Sequence, residues 1–190
     1  MRQRRRTRIL IVAAAVAATS AAAGGWAAAN PKPQPTRPDA RPTAPPTIPS
    51  DITGSPILAA SLPDPSGTAT TISELAHAKP VVVNFWASWC APCVAEMPLL
   101  EAASAARRDD VVVIGVNELD DKTAASAMAA RTGISYPWLL DADGALAAAA
   151  ETVNLPTTIL IDPAGTVKAT RVGAFKSADD FDRWLDSGLR

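Results

Sequence analysis

Cysteine is nearly absent: the 190 residues carry two, Cys90 and Cys93, and both fall in one stretch, FWASWCAPCVAEMP. So few exclude a disulfide framework, and with 48 % hydrophobic residues the core needs none. Histidine is rarer still, with His77 alone. A structural zinc site takes three or four ligands, and this inventory does not supply them, so no metal is expected. There is no nucleotide- or flavin-binding motif, so no bound cofactor is expected. There is no internal repeat. Acidic residues are missing from one segment: residues 1–29 hold five arginines and no Asp or Glu.

That segment reads as an export signal. A basic MRQRRRTR precedes an apolar run, Ile9 to Ala29. Its closing Ala27-Ala28-Ala29 offers a small-residue cleavage site. The run is also long enough to span a bilayer, with Trp26 near an interface. Signal peptide and membrane anchor both stay open. Residues 30–50 contain eight prolines, which forbid helix and sheet ladders. At about 3.1 Å per residue this extended spacer reaches roughly 60 Å. The folded domain is expected over 51–190, as a monomer. It carries 10 Lys and Arg against 18 Asp and Glu, a net of −8, which would repel phosphate backbones and argues against nucleic acid as a partner.

Within the domain, VVVNFWA (81–87) and VVVIGVN (111–117) are continuous valine-rich runs, the pattern of strands buried on both faces. Residues 92–107 between them favour helix, giving a strand–helix–strand unit. A second helix is expected over about 122–132, stopping at Gly133. YPWLLD reads as a short strand and GALAAAAETV as a helix. TTILID and TVKATRVG flank DPAG as an antiparallel hairpin, and an earlier DPSG marks a small leading hairpin. SADDFDRWLDSGL opens with Ser177 and Asp180 in capping-box spacing and closes the chain as an amphipathic helix. The expected fold is α/β, a central mixed sheet with helices on both faces.

Cys90 and Cys93 sit where a buried strand meets a helix, and Pro92 suits the first helical turn. There Cys90 would meet the unpaired N–H groups and positive end of the helix dipole, which favour its thiolate. Cys93, one turn on, is placed to attack a mixed disulfide formed at Cys90. A structural staple of this spacing closes too small a loop to stabilise much. A peroxiredoxin-type site expects Thr and Pro three and seven residues before the reactive cysteine, where Ala87 and Val83 stand. A working dithiol is the reading that remains. DADG (141–144) resembles the start of a calcium loop, but Ala145 and Thr152 would occupy later ligand positions. His77 reads as a surface helix-end residue, and Pro98 as a kink inside the first long helix.

VVVNFWASWCAPCVAEMP followed by NLPTTILIDPAGTV resembles the thioredoxin-fold oxidoreductases of the TlpA/ResA group, proteins of bacterial cell envelopes. The resemblance covers residues 55–188, including the leading hairpin and an inserted strand–helix segment near 118–140. It implies a thioredoxin fold, with Cys90 and Cys93 as the redox-active pair. It also implies a cis-proline at Pro156, which would turn the Leu155 backbone toward an extended substrate. Trp89 would flank the site with Trp86. Glu96 matches the acid of WCxxCxxE and would shuttle the proton of Cys93, with a pKa raised by burial. Asn84 stands where thioredoxin proper has a buried acid.

The implied activity is thiol–disulfide exchange with protein thiol and disulfide substrates, apocytochrome c cysteines among them, with electrons from a membrane thiol carrier. Ala91-Pro92 adds no positive charge beside Cys90, and an ionised Glu96 would destabilise its thiolate further, so the direction expected is reduction. A disulfide-forming oxidase and a non-catalytic thiol chaperone for copper or haem are the alternatives.

Overall fold

The computed structural model describes residues 56–190. The segment read as an export signal and the proline-rich spacer lie outside the described residues. Among the described residues no helix is long and apolar enough to cross a membrane.

The domain opens with a short helix α1 (Pro56–Ala59) and the expected hairpin, β1 (Ser61–Pro63) and β2 (Ala69–Thr71). Its turn closes through Gly67 N–H on Asp64 O at 2.9 Å, while Asp64 Oδ1 accepts the N–H groups of Ser66 and Thr68. Helix α2 (Ile72–Ala76) follows, started by a full capping box between Thr71 and Glu74. Neither α1 nor α2 is legible as a helix from periodicity, because four or five residues do not complete a repeat. His77 ends α2 in the left-handed region, φ 48°, and is exposed, as expected.

The main elements then run β3 (Val81–Trp86), α3 (Ala91–Ala106), β4 (Val112–Glu118), α4 (Lys122–Thr132), β5 (Trp138–Asp141), α5 (Ala145–Ala149), β6 (Thr157–Ile161), β7 (Val167–Val172) and α6 (Ala178–Gly188). The five-stranded sheet has the order β5-β4-β3-β6-β7. Strands β3, β4 and β5 are parallel, and β6 runs antiparallel to both β3 and β7. This is the expected mixed sheet; the leading hairpin is a separate two-stranded sheet.

Side-chain alternation on β3 divides the core. Val81, Val83 and Phe85 face a layer containing Ile57, Ile72, Leu146 and Ala147 from α1, α2 and α5. On the other face Val82 packs with Leu100 and Ala103 of α3 and with Phe181 and Leu185 of α6. Trp86 packs with Cys90, Cys93 and Met97, and with Ala125, Met128 and Ala129 of α4. The even-numbered face of β3 therefore carries the dithiol.

Two local features differ in detail from the sequence reading. Helix α5 stops at Ala149, not at Val153, because Glu151 turns left-handed (φ 53°) and its N–H bonds Ala148 O while Thr152 N–H bonds Ala147 O. That is a Schellman ending with a non-glycine residue. Helix α6 has half of a capping box: Ser177 Oγ accepts Asp180 N–H, but the Asp180 carboxylate accepts Lys176 N–H and pairs with Arg171. Pro98 lies exposed inside α3, which runs on to Ala106.

Candidate active site

Helix α3 begins at the dithiol. Cys90 is its N-cap residue, Ala91 and Pro92 form the first turn, and Cys93 N–H points at Cys90 Sγ at 3.3 Å. The two cysteines form a disulfide with Cα atoms 5.3 Å apart. Both cysteines are buried, Cys90 keeping 6 % of its surface exposed and Cys93 none. Cys90 N–H also closes a turn onto Ala87 O at 3.1 Å.

Glu96, one turn beyond Cys93 on the same helix, is 2 % exposed. Its Oε1 accepts Asn84 Nδ2–H at 3.0 Å and its Oε2 accepts Phe175 N–H at 2.9 Å. Burial pushes the Glu96 carboxyl above the ordinary glutamate range; the Phe175 N–H, the Asn84 amide and the positive charge of Arg171 pull it back only in part. Asn84 is at the centre of β3 and also donates to Thr158 Oγ1, its register partner on β6, at 3.0 Å.

The Leu155–Pro156 peptide bond is cis. Leu155 packs against the cluster that holds both cysteines, and Pro156 O accepts Gly173 N–H at 2.8 Å. Trp89 stands 57 % exposed beside the dithiol, with its indole N–H on Leu119 O at 3.3 Å. Trp86 is core, edge-on to Trp138 with ring centroids 5.6 Å apart. All six residues singled out in the sequence (Cys90, Cys93, Glu96, Leu155, Pro156 and Trp89) thus lie in or beside one end of the sheet.

The sequence reading missed the residues that hold this end together. Asp120 accepts from Ser88 and Asn117, and the loop at Phe175 supplies the N–H that Glu96 uses. One signal was available for Asp120: it follows the carboxyl end of a parallel strand, where open α/β sheets place their functional loops. DADG, set aside as a calcium loop, has a positive structural account: buried Asp141 accepts Leu146 N–H at 3.1 Å and Ala147 N–H at 2.8 Å, capping α5.

A five-stranded mixed sheet with a CxxC pair at the start of a helix and a cis-proline loop beside it defines a thioredoxin fold. Solved structures agree: over 69 % of this chain and 96 % of the other, it superposes on DsbF from MTB with a TM-score of 0.62 and 26 % identity. Residues 52–185 match the Redoxin family, and the chain belongs to that family. Among curated relatives it is 34 % identical over 110 residues to the thiol-disulfide oxidoreductase ResA of Geobacillus kaustophilus, covering 57 % of this chain and 63 % of that one. It is 33 % identical over 125 residues to the thiol:disulfide interchange protein DsbE of Pseudomonas fluorescens biotype C, covering 65 % and 68 %. The chain therefore spans slightly less than two thirds of the ResA relative's length.

Proposed function

We propose that this chain is an extracytoplasmic thiol–disulfide oxidoreductase that reduces protein disulfides through Cys90 and Cys93. The observation that carries the reading is the asymmetry of the pair: Cys90 at the helix N-cap keeps a trace of exposed surface, and Cys93, a turn later, has none. The Cys90 thiolate attacks one sulfur of a substrate disulfide, forming a mixed disulfide and expelling the other substrate sulfur as thiolate. Cys93 then gives its proton to Glu96 and attacks Cys90. The Cys90–Cys93 disulfide forms and the second substrate sulfur leaves. Two electrons pass to the substrate, whose two thiolates take up two protons.

Regeneration requires an external dithiol of suitable potential, and a membrane thiol carrier is the donor class proposed. Trp89, Leu155 and Pro156 form the substrate contact. Residues 1–29 export the domain as a signal peptide or anchor, residues 30–50 space it, and residues 51–190 do the chemistry. The haem-attachment cysteines of apocytochromes c are the substrate class that the family resemblance implies. The names of the ResA and DsbE relatives support the activity.

Direction is tested by the reduction potential of the Cys90–Cys93 couple, equilibrated in glutathione or dithiothreitol buffers. A value at or below about −270 mV, the level of thioredoxin, supports a reductase. A value near −120 mV reverses the direction and makes the chain a disulfide donor.

A further inference from the structure

The turn after β4 reaches across the end of the sheet to the loop that carries the dithiol. Asp120 Oδ2 accepts Ser88 N–H at 2.6 Å, and Oδ1 accepts the Ser88 hydroxyl at 2.9 Å. Asn117 Nδ2–H, at 3.0 Å, and Asp121 N–H, at 2.8 Å, complete the shell of the carboxylate. One residue earlier, Leu119 O receives the Trp89 indole N–H. Leu119 adopts φ 49°, rare for a side chain of its size, and its own N–H is fixed on Asp141 O at 3.0 Å. Two adjacent residues of one loop, 88 and 89, are thus each held by one of two adjacent residues of the other, 120 and 119. Cys90 follows directly, at the end of the turn so braced.

The four donors to Asp120 are neutral groups, so none of them brings a positive charge to the carboxylate. That carboxylate sits at the turn leading into Cys90: its Oδ2 is 2.6 Å from the amide nitrogen of Ser88, two residues before the cysteine.

We infer that Asp120 is a positioning residue of the redox site. It fixes the Ser88–Trp89 turn on which Cys90 rides, and it holds a negative charge beside Cys90 that disfavours the thiolate. A disfavoured thiolate makes the disulfide harder to reduce and biases the couple toward the reducing side. The inference rests on the reading of Cys90 and Cys93 as a redox couple and supplies a structural cause for its direction.

The test uses the full chain and three variants, Asp120→Asn, Asp120→Ala and Ser88→Ala, equilibrated with glutathione buffers and trapped by alkylation. Asp120→Asn keeps an acceptor oxygen for Ser88 N–H and removes the charge. It is expected to shift the equilibrium toward the reduced protein by about twofold, the order of effect of one nearby charge in a largely aqueous setting. Ser88→Ala keeps the charge and shifts it less. The Trp89 indole N–H resonance moves in Asp120→Ala and returns toward its wild-type position in Asp120→Asn, which a charge effect alone would not produce.

If both Asp120 variants lower the melting temperature but leave the equilibrium constant and the Trp89 resonance as in wild type, the inference is overturned and Asp120 is structural only. A wild-type chain with no reversible couple overturns the redox reading itself, and this inference with it. Should Asp120→Ala not fold, Asp120→Asn and Ser88→Ala carry the comparison.

Discussion

Asn84 and Glu96 meet in the interior: the amide Nδ2 of the first lies 3.0 Å from Oε1 of the second, joining the central strand of the sheet to the helix that begins at the dithiol. The contact places a carboxyl, held by two neutral N–H donors, one helical turn from the buried sulfur of Cys93. A neutral amide beside an acid leaves the acid free to change charge, which a second carboxylate or a paired cation would resist.

The first prediction concerns Glu96→Gln. Glu96 must be ionised to accept the Cys93 proton, so the wild-type resolving step speeds up as pH rises through the elevated Glu96 pKa. The variant loses that limb and is slower above it by about tenfold to hundredfold, at the lower end of what acid–base groups contribute. Single-turnover release of a mixed disulfide, followed against pH, checks this. An unchanged pH limb in the variant would remove Glu96 from the proton path.

Stability gives an independent reading of the same group. The folded-state pKa of Glu96 is raised above its unfolded value, so the folded state favours the protonated acid. The associated stabilisation is full below about pH 4.3, the ordinary glutamate value, and is lost as pH rises through the raised value. Wild type should therefore lose stability relative to Glu96→Gln across that window. The unfolding free energies of the two proteins, compared at pH 4 and pH 8, test the sign.

Arg171 acts on Glu96 through a loop. Its Nη2 pairs with Asp180 Oδ2 at 2.8 Å, its Nε–H and Nη2–H donate to Gly173 O and Ala174 O, and its guanidinium lies 4.5 Å from the Phe175 ring centroid. Phe175 then presents its N–H to Glu96. Arg171→Ala should cost about 1.5–3 kcal/mol, the range for hydrogen bonds to a charged group. Removal of the positive charge should also move the Glu96-dependent pH limb upward. Arg171→Lys, which keeps charge but not the fork, should restore the limb more fully than the stability.

Gly115 tests the packing behind the dithiol. It lies on β4 between Trp86 and Trp138, and an added Cβ would come 2.9 Å from Trp86 Nε1 and 3.1 Å from Trp138 Cβ. Both rings are buried and edge-on to each other, so neither moves freely. Gly115→Ala should destabilise the domain by about 1–3 kcal/mol and alter the near-UV circular dichroism of the tryptophans. A variant as stable as wild type would mean that this layer is looser than its contacts imply.

These residues also mark how far the sequence could be read. Val81 to Trp86 and Val112 to Asn117 are legible as buried parallel strands because every side chain is apolar or small, or an isolated polar group in an apolar run. Cys90 at a strand–helix junction is legible because Pro92 and the following helix formers announce the helix. The DPSG and DPAG turns form as read, since proline and glycine fix the backbone locally. Asp120 was not legible as a partner of Ser88, because the two are 32 residues apart and meet only once β3 and β4 are side by side. The Phe175 N–H was invisible for a related reason: every residue carries one, and only the folded loop aims it at Glu96. Periodicity also ran α5 on too far, because nothing in AAAAET signals that Glu151 turns left-handed.

The last prediction lies far from the sulfur atoms. Arg107, just past the end of α3, donates Nε–H to Asp110 at 2.8 Å, Nη1–H to Asp182 at 2.7 Å and Nη2–H to Asp186 at 2.6 Å. The last two residues belong to α6, so one guanidinium ties the C-terminal helix to the helix of the dithiol. The three acids hold the Arg107 pKa well above its ordinary value, through hydrogen bonds first and charge second. Each carboxylate is about half exposed, so water and salt screen these pairs and no single one is worth much. Removing the shared cation also leaves three acids near one another. Arg107→Ala should therefore lower stability by about 1–2 kcal/mol, roughly the sum of several screened pairs, and the loss should shrink as salt rises toward 1 M. The redox equilibrium constant should stay at its wild-type value, because the knot lies at the opposite end of α3 from Cys90. A chain that lost its redox behaviour along with Arg107 would show that α6 docking governs the active-site end of the domain.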